Sequence, residues 1–389
     1  MSAERIYPKV LNWASELEPD TAEQAARLSR LPFIFKHVAL MPDAHLGKGA
    51  TVGSVIATQG ALVPAAVGVD LGCGMLAVRT SLVGEALPDL TPMLAQLVET
   101  VPAGVGQGHS HLDAGKAGVD NITENHPKAE QDVEPLKATA VAQFGTLGSG
   151  NHFLEVHADQ HDRVWVVVHS GSRGVGNKLA QKYIKKAQED MSAWFIQLED
   201  PDLAYLPQGS RWFDPYIRAV GWAQEYAWQN RERMITLAVD ALGEVAGSFD
   251  SPERVHCHHN YTQMEHHMGT NVWVTRKGAV SAREGELSVL PGSMGSLSYI
   301  VEGLGNPASF TSAPHGAGRR LSRNRARKEL SLDTLKGMMA GRVWLEADAK
   351  ELLDEHPDAY KPVAQVLEDA ADLVSVVHEL RPLLNFKGV

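Results

Sequence analysis

Val164-Trp165-Val166-Val167-Val168-His169-Ser170-Gly171 decides how the chain folds. The unbroken apolar run leaves no polar face, so it predicts a strand buried on both sides. The run stops on a histidine and a Ser-Gly turn. Gly171-Ser172-Arg173-Gly174-Val175-Gly176 then leads into a helix expected over 177–198. A buried strand that hands a histidine to a glycine turn places chemistry at a strand end. Similar short runs occur at 36–41, 54–57, 65–69, 75–80, 153–157, 271–276, 286–290 and 298–302, all read as strands. Helices are expected over 85–100, 215–246 and 361–380, with Trp222, Tyr226, Met234, Leu237 and Val239 as core contacts of the longest. Residues 104–135 are polar and rich in Gly and His, with little periodicity, and read as an insertion or mobile loop. There is no internal repeat and no clean linker. The expected fold is α+β, a single interwoven domain over 1–389.

Composition narrows the function. The chain has 389 residues, 44% hydrophobic, 21% charged, with 35 glycines, which suits a loop-rich enzyme with a large core. No apolar run is long enough to span a bilayer and the start lacks a signal-like pattern, so a cytoplasmic location is expected, with no membrane partner. The net charge of −11 argues weakly against nucleic acid, but Arg319, Arg320, Arg323, Arg325, Arg327 and Lys328 form a local basic cluster. On charge alone, a solvated helix face explains the cluster equally well. The two cysteines, Cys73 and Cys257, imply no disulfide framework, and 17 histidines make a metal site the leading idea.

The metal reading starts at Val69-Asp70-Leu71-Gly72-Cys73-Gly74. A carboxylate and a thiolate three residues apart on a tight turn can face one ion of zinc, manganese or iron. A small buried cysteine is the commoner outcome for such a residue taken alone. Gly148-Ser149-Gly150-Asn151-His152-Phe153-Leu154-Glu155 carries His152 from a glycine turn into a strand, with Asn151 and Glu155 placed to orient ligands or touch substrate. In His258-His259-Asn260 adjacent histidines face opposite sides of a strand, so one of them reaches the site. Asp70, Cys73, His152, His169 and one of the 258/259 pair thus form a candidate set.

Pro314-His315-Gly316-Ala317-Gly318-Arg319 supplies a nucleophile. A neutral imidazole attacks phosphorus without needing a strong base, and Arg319 follows one helical turn later to take phosphate charge. Gly171–Gly176 does not match a dinucleotide fingerprint, and no Gly-x-x-x-x-Gly-Lys-Ser/Thr occurs. Arg173 and the helix N-terminus after it remain able to hold an anion.

Taken together, several blocks resemble the RtcB family of RNA ligases. They are 42–49 (PDAHLGKG), 68–74 (GVDLGCG), 145–153 (GTLGSGNHF), 169–174 (HSGSRG), 258–261 (HHNY), 275–279 (TRKGA), 290–295 (LPGSMG), 315–319 (HGAGR) and Lys387-Gly388. The match runs in order from about residue 30 to the end. It departs at Ala44 and at Ala313-Pro314, and residues 335–358 follow it poorly. Proline fixes its own φ and biases Ala313 toward extended geometry, which bears on how the histidine is presented.

The resemblance implies β-sheets around a central metal and nucleotide cleft with helices packed outside. It implies an enzyme that joins an RNA 3′-phosphate or 2′,3′-cyclic phosphate to a 5′-hydroxyl, in RNA repair or tRNA splicing, with GTP and two Mn²⁺ ions. Asp70, Cys73 and His152 would hold one ion; Cys73, His169 and His259 the second. His315 would carry GMP. Asn151, Glu155, Asn260, Pro291, Ser293, Ser298, Gly318, Tyr360 and Lys387 would hold the nucleotide, with Arg173 and Arg319 on phosphate or RNA. An archease activator is a further expected partner. Two other functions fit the same residues: a guanylyltransferase that caps 3′-phosphate ends of RNA or DNA, and a metal-dependent phosphohydrolase.

Overall fold

A computed structural model describes residues 3–389. Two sheets dominate. One has six strands in the order Glu4–Tyr7, Val10–Asn12, Ile34–His45, Val52–Thr58, Thr270–Lys277, Asn260–His267. The other runs Glu253–His258, Gly74–Val83, Arg163–Ser170, Phe153–Asp159, Val374–Phe386, Ser298–Gly303, Leu287–Leu290. The short strand Val343–Trp344 pairs in parallel with Val374–Phe386 off that path. The second sheet is nearly closed: the Cys257 thiol, on one terminal strand, meets the backbone of Val289 on the other. The strand Arg163–Ser170 lies between Gly74–Val83 and Phe153–Asp159, and Trp165 through Val168 are buried, as a run without a polar face requires.

Helices cover the outside. Phe213–Ala246 spans 34 residues, about 50 Å at 1.5 Å per residue, and buries Tyr216, Trp222, Tyr226 and Met234. Arg173–Ala193 leaves directly from the Ser170-Gly171 turn. The mixed architecture expected from the sequence is what forms.

Three segments differ from the sequence reading. Residues 65–69 form the short helix Pro64–Val67: Pro64 sits at its first turn with φ preset, and Gly68 at φ 95° ends it. Residues 104–135 are not structureless. They contain the helix Asp113–Asn125, whose Val119 and Ile122 are fully buried, followed by short helical turns to Leu136. Residues 361–380 are helical only over Val363–Asp369, and Val374–Phe386 is a central strand of the larger sheet. Its β-branched start, Val374-Ser375-Val376-Val377, favours a pleated surface over continuation of the helix. Smaller shifts occur at ends. The helix expected over 85–100 begins at Thr91, after Asp89 accepts the Thr91 backbone N–H, and the one expected over 177–198 stops at Ala193.

Candidate active site

Four chain segments converge at the mouth of the larger sheet. The turn carrying Asp70 and Cys73 is closed by Gly72, at φ 67°, whose N–H donates to the Asn260 carbonyl at 2.8 Å. The Ser170-Gly171 turn lies so close that a methyl group on Gly171 would sit 2.1 Å from Asp70 Oδ1. His152 Nε2 is 3.0 Å from Asp70 Oδ2 and 3.4 Å from Cys73 Sγ. His169 Nε2 is 3.4 Å from the same sulfur and 2.9 Å from His259 Nε2. Cys73 therefore stands between two histidines, with Asp70 on one flank and His259 on the other. His258, the neighbour of His259, points away and is held by Arg231 and the Gly72 carbonyl.

The donor set fits a cation. His169 Nδ1 lies 3.0 Å from the Asn151 carbonyl, which fixes the proton there and leaves the Nε2 lone pair facing inward. His152 Nδ1 sits between the Leu147 carbonyl at 3.0 Å and the Arg173 guanidinium at 3.1 Å. Burial holds His169 and His259 well below the usual imidazole range, so both rings are neutral. Burial and then the Asp70 charge push the Cys73 thiol well above its usual value. Asp70 is drawn to about 2: burial opposes its ionisation, but His152 and Arg173 outweigh that. Metal-ligating donors buried together at this spacing are costly unless an ion is held among them.

His315 lies beside this cluster, its ring 4.7 Å from that of His259. Its Nδ1 donates to Asp43 Oδ2 at 2.6 Å, and its backbone N–H donates to the same oxygen at 3.2 Å. Asp43 is fully buried. With Nδ1 turned to Asp43, Nε2 is the ring nitrogen left without a protein partner among the described residues. Pro314 ends the strand Ser312–Pro314, paired with Ala279, so the residue before His315 is held by a ladder as well as by its ring. Gly318, at φ 71°, presses the loop onto the Asp43 backbone, where a Cβ would meet the carbonyl oxygen at 2.3 Å.

A cavity of about 330 Å³ opens over these groups. Asp70, Cys73, His169, His259 and His315 line it, together with Asn151, Glu155, Asn260, Pro291 and Ser293. Gly318, Arg319, Tyr360 and Lys387 line it as well, Lys387 reaching the Gly150 carbonyl beside Asn151 at 3.3 Å. Three expected residues stand back from it. His152 lies beneath Asp70, Arg173 beneath His152, and the Ser298 hydroxyl accepts the Gly292 N–H at 3.2 Å behind the wall.

The comparisons with known proteins agree along the whole chain. The family model described as "tRNA-splicing ligase RtcB" matches residues 24–388. The chain is 44% identical to the RNA-splicing ligase RtcB of Escherichia coli K12, covering all of this chain and 99% of the relative. It is 33% identical to the tRNA-splicing ligase RtcB of Pyrobaculum aerophilum, covering 99% and 94%. The chain belongs to the RtcB family. At 30% identity to the Thermococcus kodakarensis tRNA-splicing ligase RtcB it still aligns over 95% of its length.

Within this RtcB chain the structure adds residues that the sequence reading left without a role. Asp43 stood in the 42–49 block, but its partner is 272 residues away, which no local pattern reveals. Glu355 came from the stretch that followed the family pattern poorly. It is buried and takes Lys387 at 3.1 Å, Arg323 at 2.7 Å, Arg319 at 3.3 Å and the Tyr360 hydroxyl at 2.6 Å. Arg319 accordingly turns its fork to Glu355, the Tyr360 hydroxyl and the Asp354 and Leu321 carbonyls, and is less free for phosphate than its place in the sequence suggests. Lys277 and His45 also line the cavity. Burial lowers the Lys277 ammonium to about 8 and the His45 ring to about 4.

Proposed function

We propose that the chain is a GTP- and Mn²⁺-dependent RNA ligase that joins a 3′-phosphate or 2′,3′-cyclic phosphate end to a 5′-hydroxyl end through a His315–GMP intermediate. The observation that carries this reading is the His315 ring. One nitrogen is tied to a buried carboxylate, and the other is left to a cavity lined by four of the five candidate metal ligands, with His152 directly beneath Asp70.

Asp70, Cys73 and His152 would hold one ion, and Cys73, His169 and His259 the other, with the thiolate shared. The ions would neutralise triphosphate charge and orient the attacked phosphorus. The protein's own part starts with His315 Nε2. Its lone pair attacks the GTP α-phosphorus, an N–P bond forms, and pyrophosphate leaves with the electrons of the broken P–O bond. The ring becomes cationic, and the Asp43 carboxylate stabilises the positive charge at Nδ1. The RNA 3′-phosphate oxygen then attacks the same phosphorus, breaking the N–P bond and returning the ring to neutral. Finally the 5′-hydroxyl attacks the RNA phosphorus, GMP departs, and a phosphodiester remains. A cyclic end is first opened by water. Asn151, Glu155, Asn260, Pro291, Ser293, Ser298, Gly318, Tyr360 and Lys387 are assigned to the nucleotide, and Arg173 and Arg319 to phosphate and RNA. The reading places an archease-type activator among its partners.

The test supplies an RNA ending in a 2′,3′-cyclic phosphate and a second RNA with a 5′-hydroxyl, together with GTP and Mn²⁺. A joined product with the phosphate retained in the new linkage is expected. A capped 3′ end that never joins would make the chain a guanylyltransferase, and phosphate release without an adduct would make it a hydrolase.

A further inference from the structure

Glu155 lines the nucleotide cavity, yet no lysine or arginine forms an ion pair with it among the described residues. It is clamped by an imidazole and an amide. His157, two residues on and therefore on the same face of the strand, places Nε2 2.9 Å from Glu155 Oε2. Asn385, directly opposite Glu155 across the strand pair, donates from Nδ2 to Oε1 at 2.5 Å. Each carboxylate oxygen thus receives one protein donor, and the acceptor requires that the amide present nitrogen and the imidazole N–H.

What the clamp leaves undone is informative. His157, Asn385 and Glu155 are all buried, at 0%, 1% and 4% exposure. The other polar atoms of the two clamping residues, His157 Nδ1 and Asn385 Oδ1, have no hydrogen-bond partner among the described residues. Buried groups left half-satisfied weaken a fold, and an apolar pair would fill this space without that penalty. Among the described residues their single side-chain partner is Glu155, so their contribution is to hold that carboxylate in one plane. A carboxylate offers about four acceptor positions, and two remain for a ligand in the cavity.

We infer that His157 and Asn385 are positioning residues for nucleobase specificity: they fix Glu155 as a planar acceptor for two adjacent ring donors, the N1–H and 2-amino N–H of guanine. The assignment rests on the GTP reading above. Adenine presents an acceptor at N1 and has no 2-amino group, so it would set a lone pair against the fixed oxygens. Hypoxanthine keeps N1–H and lacks the 2-amino donor. A site whose buried polar groups match a ligand's donors rejects analogues that leave those groups unpaired. The strand that carries Asn385 delivers Lys387 to the same cavity two residues later, so the base-reading carboxylate and that cation are set by one register.

The test measures binding of GMP, IMP and AMP, which have no leaving group, to the Mn²⁺-loaded protein by calorimetry, and the KM for protein–GMP formation from GTP. Variants are His157→Phe, which keeps the ring and removes both nitrogens, Asn385→Leu, and His157→Gln, which restores a donor. Wild type should prefer GMP over IMP and AMP. His157→Phe and Asn385→Leu should raise the GTP KM roughly 10- to 100-fold, the scale of a lost hydrogen bond to a charged group, and shrink the GMP-to-IMP ratio, with metal content unchanged. His157→Gln should recover the ratio. Variants that discriminate as well as wild type overturn the positioning assignment while leaving the GTP reading intact. A wild type that binds all three nucleotides equally overturns the guanosine reading and this assignment with it.

Discussion

His315 Nδ1 and Asp43 Oδ2 are 2.6 Å apart, joining a loop near the C-terminal end of the chain to a strand near its beginning. The contact fixes which ring nitrogen is free. Asp43→Asn replaces the acceptor with an amide that can donate to Nδ1, which moves the ring proton to Nε2 and removes the nucleophile. Formation of the protein–GMP adduct should fall about 100- to 10,000-fold, as when the orienting carboxylate of a histidine is lost in other enzymes. Metal content should stay at the wild-type level. Adduct formation within a few-fold of wild type would show that Asp43 does not set the tautomer.

Cys73→Ala should lower bound Mn²⁺ per chain, since its sulfur stands 3.4 Å from both His152 Nε2 and His169 Nε2. Gly171→Ala reaches the same ligands from outside. Its methyl group would drive into Asp70 Oδ1 and push the carboxylate from His152, so metal affinity should drop although no ligand is removed. Metal analysis after dialysis measures both, and undiminished Mn²⁺ in the Cys73 variant would rule out a shared thiolate.

Arg231 is fully buried and donates to the Gly72 carbonyl at 3.1 Å and the Ser170 carbonyl at 2.7 Å, so one guanidinium ties the Asp70–Cys73 turn to the His169 strand end. It also holds His256 and His258. Arg231→Met takes this donor from the Ser170 carbonyl and His256 Nε2 in the interior, while the Gly72 carbonyl keeps His258. A loss of about 2–4 kcal/mol of stability is expected from two or more unsatisfied buried groups, together with weaker Mn²⁺ binding. Denaturant titration and metal analysis on the same preparation test this; normal metal affinity in a destabilised variant would confine Arg231 to the fold.

Glu355 gives the site a defined acid limit. Burial raises its pKa, but Lys387, Arg323, the Tyr360 hydroxyl and Arg319 pull it down to about 2. The folded value lies below the unfolded one, so this stabilisation is complete above about pH 4.5 and is lost as pH falls toward 2. The shift corresponds to roughly 3 kcal/mol at neutral pH. Glu355→Gln should lower stability at pH 7 by about that amount and flatten the acid limb of the stability curve between pH 4.5 and 2. An acid limb unchanged from wild type would show that other carboxylates dominate it.

How much of this was legible in the sequence depends on the distance between partners. Strand ends were readable because an apolar run, a histidine and a glycine turn are contiguous, and His152, His169 and Cys73 do meet. One of the 258/259 pair does reach the site, but His259 lies in the bend between the strands Glu253–His258 and Asn260–His267 rather than on a strand, so which histidine turns inward needed the fold. The 361–380 stretch was misread because the short helix Val363–Asp369 and the following β-branched strand share one apolar pattern. The helix Asp113–Asn125 was missed because Gly115 and Gly118 break its signal, yet Gly115 is where Val141 closes against it: a Cβ there would meet the Val141 carbonyl at 2.1 Å. Asp43 and Glu355 carry no local signature at all, since their partners arrive from far along the chain.

His315 is proposed as the nucleotide-carrying nucleophile. Incubation with α-labelled GTP and Mn²⁺, followed by peptide mapping, tests it most directly. An acid-labile, base-stable GMP is expected on the peptide containing His315, absent in His315→Ala at unchanged Mn²⁺ content. Label retained by His315→Ala, or mapped to another residue, would contradict it.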